Sequence, residues 1–355
     1  MDKNSNGGVK AECNKKAIEY LQSIDFKALG RTVFTDHLAT VSEAGKNIGE
    51  LTVSVSETVR GDEICYYVHA QSHGVLDGVP MGTSVTAYIT RGVVTLEQTQ
   101  HEYIKFTNKP LDKKTIVVKE GDKLRVKKIT SAGRDVSENE LTYTLNHEKG
   151  FVSEGANIIL QRIMCQRNDV PENAKFLALD NASCLTTMRY AKLPERTTTI
   201  ADSTLALFGI EREVLGMESL TVRWNTHFLE GGYMATRETI GSSVRMQLIQ
   251  LPTKDGQPKK GEKSVSARND LHWEADMQMT SHYIERKEKL INDHKTYVRH
   301  KPELRALLED FCQFVLLRKP DDVCSFASDY FASFSTKIKP PTLPSNAEEK
   351  QRLNP

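Results

Sequence analysis

Two histidines and an aspartate, His69, His73 and Asp77, follow one another at intervals of four residues and could in principle bind a metal ion. That spacing brings ligands together when the residues lie on one face of a helix. The surrounding residues instead predict the end of a strand followed by a loop. We therefore interpret both histidines as surface residues and predict no metal site.

Three glycines in the same stretch, Gly74, Gly78 and Gly82, could allow a ligand to approach the backbone closely. Their spacing matches neither the phosphate-binding motif GxxxxGK(S/T) nor a GxGxxG motif after a strand. We interpret the segment as a glycine-rich connection between two strands.

The sequence also lacks the motifs of redox-active or zinc-binding cysteines and of catalytic nucleophiles. No two cysteines form a CxxC pair, and no cysteine and histidine have zinc-site spacing. The GxSxG and HExxH motifs are absent as well. We predict a non-enzymatic protein without catalytic, cofactor-binding or metal-binding residues, in which the cysteines are free and structural. They are Cys13, Cys65, Cys165, Cys184, Cys312 and Cys324.

Composition excludes further classes of function. Lysine and arginine number 48 and aspartate and glutamate 47, so the net charge is +1, and a general nucleic-acid binder would need a basic surface. No window of about 18 apolar residues could span a membrane. The first ten residues are polar and lack an apolar signal-peptide region. We therefore expect a cytosolic, reducing environment.

Residues 49–251 contain many short runs in which apolar and polar residues alternate, as in Leu51–Val55 and Leu141–Leu145. Short turns separate the runs, and this favours antiparallel pairing, because parallel strands need long crossovers. The predicted fold class is α+β, with a large curved antiparallel sheet that resembles a half-barrel. A helix at 154–166, with Ser153 as its N-cap, is expected to cover the concave side.

The flanking regions differ in composition from this sheet. Residues 1–48 are predicted to form an N-terminal helix, from about Lys15 to Ser23, and a lead-in. The Pro-, Gly- and Lys-rich segment 252–269 predicts a flexible loop. A connecting segment, 270–300, is expected to be helical from about residue 281. The tail, 336–355, contains several prolines and is expected to be disordered.

Two apolar helices at 301–335 give the most specific signal in the sequence. In the first, Leu304, Leu308 and Phe311 recur at helical spacing, and the second is predicted to begin at Pro320. Two helices of this length cannot bury so many large apolar side chains against each other, so we expect them to bind a partner. The predicted partner-binding residues are Leu304, Leu307, Leu308, Phe311, Val315, Val323, Phe326, Tyr330 and Phe331.

These helices resemble the dimerisation and docking domain of the regulatory subunits of cyclic-AMP-dependent kinase, the RIIα-like module. The similar positions lie between Leu304 and Phe331 and include Pro320 and Asp322. The resemblance implies a four-helix bundle of two chains whose groove receives an amphipathic helix. The second chain is either a copy of this one or another RIIα-like chain. Here the module is C-terminal and no cyclic-AMP site accompanies it, so the resemblance does not extend to kinase regulation.

Most of the chain, from about Lys15 to Phe334, resembles the family of ciliogenesis-associated tetratricopeptide-protein-interacting proteins. The segments that carry this resemblance are 49–53, 77–84, 96–98 and 286–308. It implies a scaffold of ciliated cells that supports actin polymerisation and cilium assembly. It further implies a tetratricopeptide-repeat partner and association with the axoneme and its radial spokes. The implied locations are cytoplasm, cytoskeleton and cilium, with the nucleus and the cell membrane as further sites.

A second hypothesis belongs to a different functional class. A half-barrel sheet could enclose a lipid or another apolar ligand and act as a carrier. A cavity of a few hundred Å³ lined by apolar strand residues would favour it. A concavity filled by side chains and by the helix at 154–166 would favour the interaction protein.

Overall fold

The computed structural model describes residues 11–60, 63–133, 135–145, 150–200, 203–216, 219–248, 277–332 and 334. The predicted loop at 252–269 and the predicted tail at 336–355 lie outside these residues. The chain divides into two compact units, Met1–Asn292 and Asp293–Pro355. Among the described helices, none has the length and apolar character needed to cross a membrane.

The first half of the sheet is a meander in which each strand pairs antiparallel with the next. Its strands are β1 (Thr35–Ser42), β2 (Asn47–Arg60), β3 (Glu63–Leu76), β4 (Val79–Thr90), β5 (Thr95–Ile104), β6 (Leu111–Glu120), β7 (Lys123–Ala132) and β8 (Asp135–Thr144). The alternating runs of the sequence correspond to strands with one buried face, so the prediction of a large antiparallel sheet is confirmed.

The second half of the sheet returns toward the first strand. Its strands are β9 (Phe176–Leu179), β10 (Leu185–Lys192), β11 (Arg196–Ile200), β12 (Ser203–Val214), β13 (Val222–Phe228), β14 (Met234–Thr239) and β15 (Val244–Gln247). β15 pairs with β1, which joins the halves, and β8 and β9 lie at opposite ends of the strand order. The Lys113 ammonium on β6 nevertheless donates to the Asn181 carbonyl beyond β9, at 2.9 Å. The sheet must therefore curl strongly.

The described helices are α1 (Lys15–Gln22), α2 (Phe26–Gly30), α3 (Glu154–Arg167), α4 (Met277–His300), α5 (Pro302–Arg318) and α6 (Val323–Ala332). α3 contacts strands of both sheet halves, and every residue from Gly155 to Cys165 is buried. The prediction of a helix at 154–166 on the concave side is confirmed. Ser153 caps this helix by accepting a hydrogen bond from the Ala156 amide at 3.2 Å.

The first turn of α3 packs so closely on the sheet that only glycine fits there. A Cβ atom on Gly155 would lie 2.4 Å from the Cβ of Ala87 on β4. The Gly155 amide donates to the Gln98 side-chain carbonyl at 2.9 Å, which fixes the helix against β5.

We expect Gly155→Ala to lower the free energy of unfolding by about 1–3 kcal/mol, because the added methyl group overpacks the contact with Ala87. Gly30 ends the short helix α2 and provides a matched control, since a Cβ atom added there would have no neighbouring atom within 4 Å. Gly30→Ala should be neutral or stabilising by up to about 1 kcal/mol. Urea unfolding of both variants measures the difference, and equal stabilities would contradict the close approach.

A buried ion pair connects α3 to the N-terminal strands. The Arg162 guanidinium donates to the Asp36 carboxylate at 2.7 Å and to the carbonyls of Thr32 and Phe34 at 2.8 and 3.1 Å. Neither side chain of the pair is more than 1% exposed. Burial raises the pKa of Asp36 even though Arg162 opposes it, and burial lowers the pKa of Arg162. Desolvation is therefore the dominant influence on this pair.

The structure corrects the prediction for residues 1–48, because the sheet begins with β1 at Thr35 and not at residue 49. The alternation is hidden there, since residues 38–41 are all buried and both faces of β1 are covered. The second short helix, α2, was not predicted. α1 agrees with the predicted N-terminal helix, and α4 begins at Met277, four residues before the predicted start.

Both histidines and two of the three glycines near residue 74 lie within strands. His69 and His73 are on β3, and His69 is buried and not a surface residue. The connection between β3 and β4 is the two-residue turn Asp77–Gly78, in which both residues have positive φ. Gly74 and Gly82 occupy strand positions instead, because β3 and β4 extend further than the alternation indicates.

Candidate functional site

The helix α5 is the first element of the predicted docking surface, and its sequence explains its ends. Pro302 occupies the first turn, where its missing N–H needs no partner, and Glu303 lies at the positive end of the helix dipole. Lys319 ends the helix in the left-handed conformation, and its amide donates to the Val315 carbonyl at 2.8 Å. The Arg305 guanidinium and the Glu309 carboxylate form an ion pair one turn apart at 2.9 Å.

The helix α6 begins at Val323, three residues later than the predicted start at Pro320. The Asp322 carboxylate accepts hydrogen bonds from the amides of Cys324 and Ser325 at 2.9 and 3.2 Å. This is N-cap geometry, so the helix starts immediately after Asp322, and Pro320 belongs to the connection. The correction follows from capping chemistry, which outweighs the preference of proline for the first helical turn.

Aromatic rings hold α5 and α6 together. The ring of Phe311 on α5 lies 6.1, 5.3 and 5.0 Å from the rings of Phe326, Tyr330 and Phe331 on α6. Phe314 adds a fourth contact, with its ring 5.7 Å from that of Tyr330. Pairs at these distances attract each other beyond the burial of their surface. The structure therefore brings together four of the predicted residues and adds Phe314, which was not among them. The four are Phe311, Phe326, Tyr330 and Phe331.

The other predicted residues lie on the same two helices and differ in exposure. Leu304, Leu307 and Val315 on α5 are partly buried. Leu308 and Val323 stay exposed, at 42% and 47% of their surface. Leu316 and Leu317 were not among the predicted residues, and they are 72% and 80% exposed. The sequence feature that could have indicated these two leucines is the breadth of the apolar face of α5, which is larger than one facing helix can cover.

In the described part of the chain, no residue of α5 or α6 is buried. A surface with this many exposed leucine, valine and phenylalanine side chains is typical of a protein interaction site. The rings of Phe311 and Tyr330 give it a stiff centre, and the leucines surround it.

The interior of the curved sheet was the alternative site, and it is only partly filled. α3 occupies most of the concavity. A cavity of about 300 Å³ remains beside its N-terminus, lined by residues of α3 and of both sheet halves. Its walls combine apolar side chains such as Trp224 and Met246 with charged ones such as Lys113 and Arg237. This volume is at the lower limit for small-molecule sites.

Comparison with known proteins gives consistent results. A profile of the family described as "Ciliogenesis-associated TTC17-interacting protein, N-terminal domain" matches residues 16–243. Proteins of that name are 40% identical over 91% of this chain in Danio rerio, 39% over 92% in Xenopus laevis and 33% over 91% in Homo sapiens. The matches cover 93%, 88% and 85% of those proteins. A β-barrel-like protein of Brucella abortus, of a domain of unknown function, is similar in structure with a TM-score of 0.40 and 8% sequence identity. The match covers 61% of this chain and 95% of that chain.

Proposed function

Because the chain belongs to the family of ciliogenesis-associated TTC17-interacting proteins, we propose that it is a non-enzymatic interaction protein of ciliogenesis that binds a TTC17-type partner. The relatives are named for an interaction and not for a reaction. This agrees with the sequence, which contains no nucleophile and base in a known catalytic pattern.

The proposed location of this binding rests on one observation. No described residue of α5 or α6 is buried, and the large apolar side chains of Leu308, Leu316 and Leu317 are exposed there. Exposed apolar surface of this kind is stabilised when a partner removes it from water, at about 25 cal/mol per Å². The helix pair is therefore the docking surface in this proposal. The sheet unit supplies a folded body to which it is attached.

The proposed occupant of the docking surface is an amphipathic helix. Grooves between helices bind such a helix through apolar side chains at positions i, i+3, i+4 and i+7. Tetratricopeptide repeats are themselves built of helices, so a TTC17-type protein can supply one. The resemblance of 301–335 to the RIIα-like module supports a bundle formed with a second chain, either a copy of this one or another RIIα-like chain.

The wider cellular role in this proposal rests on family resemblance. It comprises support of actin polymerisation and cilium assembly and association with the axoneme and its radial spokes. The proposed locations are cytoplasm, cytoskeleton and cilium, and also nucleus and cell membrane. Actin is engaged either directly or through the partner.

The proposal is tested by titrating purified TTC17 protein against the full chain and against the double variant Leu316→Ser, Leu317→Ser. Because both leucines are exposed, the variant should keep the helicity and the unfolding temperature of the parent. Its affinity for TTC17 should fall by about tenfold or more, since interface leucines are expected to lose apolar burial.

Two controls accompany this titration. The variant Arg305→Ser, Glu309→Ser changes an exposed ion pair on the same helix and should bind with an affinity within about threefold of the parent. Unchanged affinity of the leucine variant would place TTC17 binding outside this part of α5. Absence of TTC17 binding by the parent chain would refute the proposed partner.

A further inference from the structure

Arg237 on β14 occupies an unusual position in the cavity beside α3. In the strand ladder it lies opposite Met246 of β15 and Thr226 of β13. Met246 packs against the main core, and residues opposite each other on neighbouring strands share a face. The Arg237 side chain therefore points inward, toward α3 and the cavity that it lines. The adjacent Glu238 points to the other face of the sheet, because strand side chains alternate.

Arg237 has no hydrogen bond or ion pair with any residue that the structure describes. The side chain is partly buried, and a charge partly removed from water without a partner is unfavourable. Burial lowers the pKa of Arg237, the Glu154 carboxylate raises it, and the positive charge of Arg212 lowers it again. Arg237 is thus partly buried and close to two other charges.

Glu154 does not neutralise Arg237, because it is already paired. Its two carboxylate oxygens accept hydrogen bonds from the Arg212 guanidinium at 2.6 and 2.8 Å. Glu154, Arg212 and Arg237 together carry a net charge of +1. The Arg237 guanidinium lines the cavity and keeps its donors without a partner among the described residues.

Apart from Glu238, which also borders the cavity but alternates to the other face of the sheet, the other charged groups of the cavity are satisfied by protein. Lys113 forms an ion pair with Glu102 at 2.8 Å. The Asp180 carboxylate accepts hydrogen bonds from the amides of Ala182 and Cys184 at 2.9 and 2.8 Å. Among the charged residues that line the cavity on the inner face, Arg237 is the one that remains available to a ligand, within the described part of the chain.

Apolar side chains form the wall next to Arg237. Trp224 and Met246 lie on the strands that flank β14, and both pack partly buried against the main core. Val214, Val222 and Ile158 extend this wall toward α3. The rest of the lining is mixed, since glutamine, threonine and carboxylate side chains also border the cavity. A ligand held on this side would meet a cation at one end and the apolar side chains of β13 and β15 beside it, the combination of apolar surface and few polar groups that fixes small molecules.

We propose that this cavity binds a small amphiphilic carboxylic acid, with its carboxylate on Arg237 and its apolar body along Trp224 and Met246. Guanidinium and carboxylate form two parallel hydrogen bonds, which accounts for an arginine at this place. A volume of about 300 Å³ accommodates a single medium-length chain and not a two-chain lipid. The site lies within the sheet unit and is independent of docking at α5 and α6.

The test uses the full chain, stripped of bound lipid, and two probes that differ only in their head group, decanoate and 1-decanol. Isothermal titration calorimetry should show saturable binding of decanoate, at least about tenfold tighter than binding of decanol. In Arg237→Met the preference for decanoate should disappear. Carbon NMR of carboxyl-labelled decanoate should show a bound signal with the parent chain at concentrations where the variant, about tenfold weaker or more, shows little.

Arg245→Met is the matched control, because Arg245 is an exposed arginine on the neighbouring strand β15 and points away from the cavity. It should bind decanoate as the parent does. Without ligand, Arg237→Met should unfold at the same or a higher temperature, since it removes an unpaired charge. The proposal is overturned if the parent chain fails to bind decanoate or binds decanol equally well. It is also overturned if Arg237→Met binds decanoate unchanged or unfolds at a lower temperature than the parent.

Discussion

Arg162→Met is expected to lower the free energy of unfolding by about 3–5 kcal/mol, the effect of breaking a buried ion pair by removing one partner. The change leaves the Asp36 carboxylate buried with its charge no longer compensated by Arg162. It also removes the donors to the carbonyls of Thr32, Phe34 and Val53, which belong to the N-terminal part of the fold. For a domain of ordinary stability this is a large fraction of the total.

The double variant Arg162→Met, Asp36→Leu tests whether the loss of stability comes from the lost contacts of Arg162 or from the unpaired buried charge of Asp36. Both charges are almost fully removed from water, and this cost offsets much of their attraction, so the pair is expected to contribute little net stability. The double variant should therefore recover a substantial part of the loss. Urea unfolding followed by circular dichroism measures both changes. A loss below about 1 kcal/mol in the single variant would mean that water reaches the pair.

Leu308→Asp is expected to abolish partner association through α5 and α6. Leu308 is 42% exposed and lies beside the aromatic cluster, so a carboxylate there would be desolvated when a partner helix covers the surface. We expect a loss of about 2–4 kcal/mol in binding free energy. That is a large part of the roughly 8 kcal/mol that holds a micromolar complex. Light scattering measures association between copies of this chain, and titration measures association with TTC17.

Gln313→Asp introduces the same charge at an exposed position of the same helix and serves as the control. It should associate as the parent does. If Leu308→Asp leaves both the oligomeric state and the affinity for TTC17 unchanged, the docking surface is wrongly placed. If it unfolds the whole chain, Leu308 belongs to the core and the docking proposal is equally wrong.

The sheet could be predicted from the sequence wherever one face of a strand is buried and the other is accessible. In β2, for example, Leu51, Val53 and Val55 are buried and the residues between them are partly accessible. β1 escaped prediction because both of its faces are covered, and burial on both faces removes the period of two. The helix α3 was found through its cap at Ser153, although almost the whole helix is buried.

The charged interior could not be predicted. Arg162, Arg212 and Arg237 look like ordinary surface arginines in the sequence, since one arginine among apolar residues usually reaches solvent. The burial of Arg162 and Arg212 becomes visible only when the sheet brings Asp36 and Glu154 to them, while Arg237 is partly buried without a partner among the described residues. The exposed apolar surface of α5 and α6 was easier to predict, because its signal is an excess of apolar residues within one short segment, and its role in docking stays a prediction.

The pairing of β1 with β15 has a consequence for synthesis on the ribosome. Ala39 and Gln247 face each other although about two hundred residues separate them along the chain. At translation rates of about 5–20 residues per second, β1 waits roughly 10–40 seconds for its second neighbour. During that interval the meander from β1 to β8 presents an open strand edge, and open edges template aggregation. Nascent chains of this protein are therefore expected to depend on chaperones until β15 has left the exit tunnel.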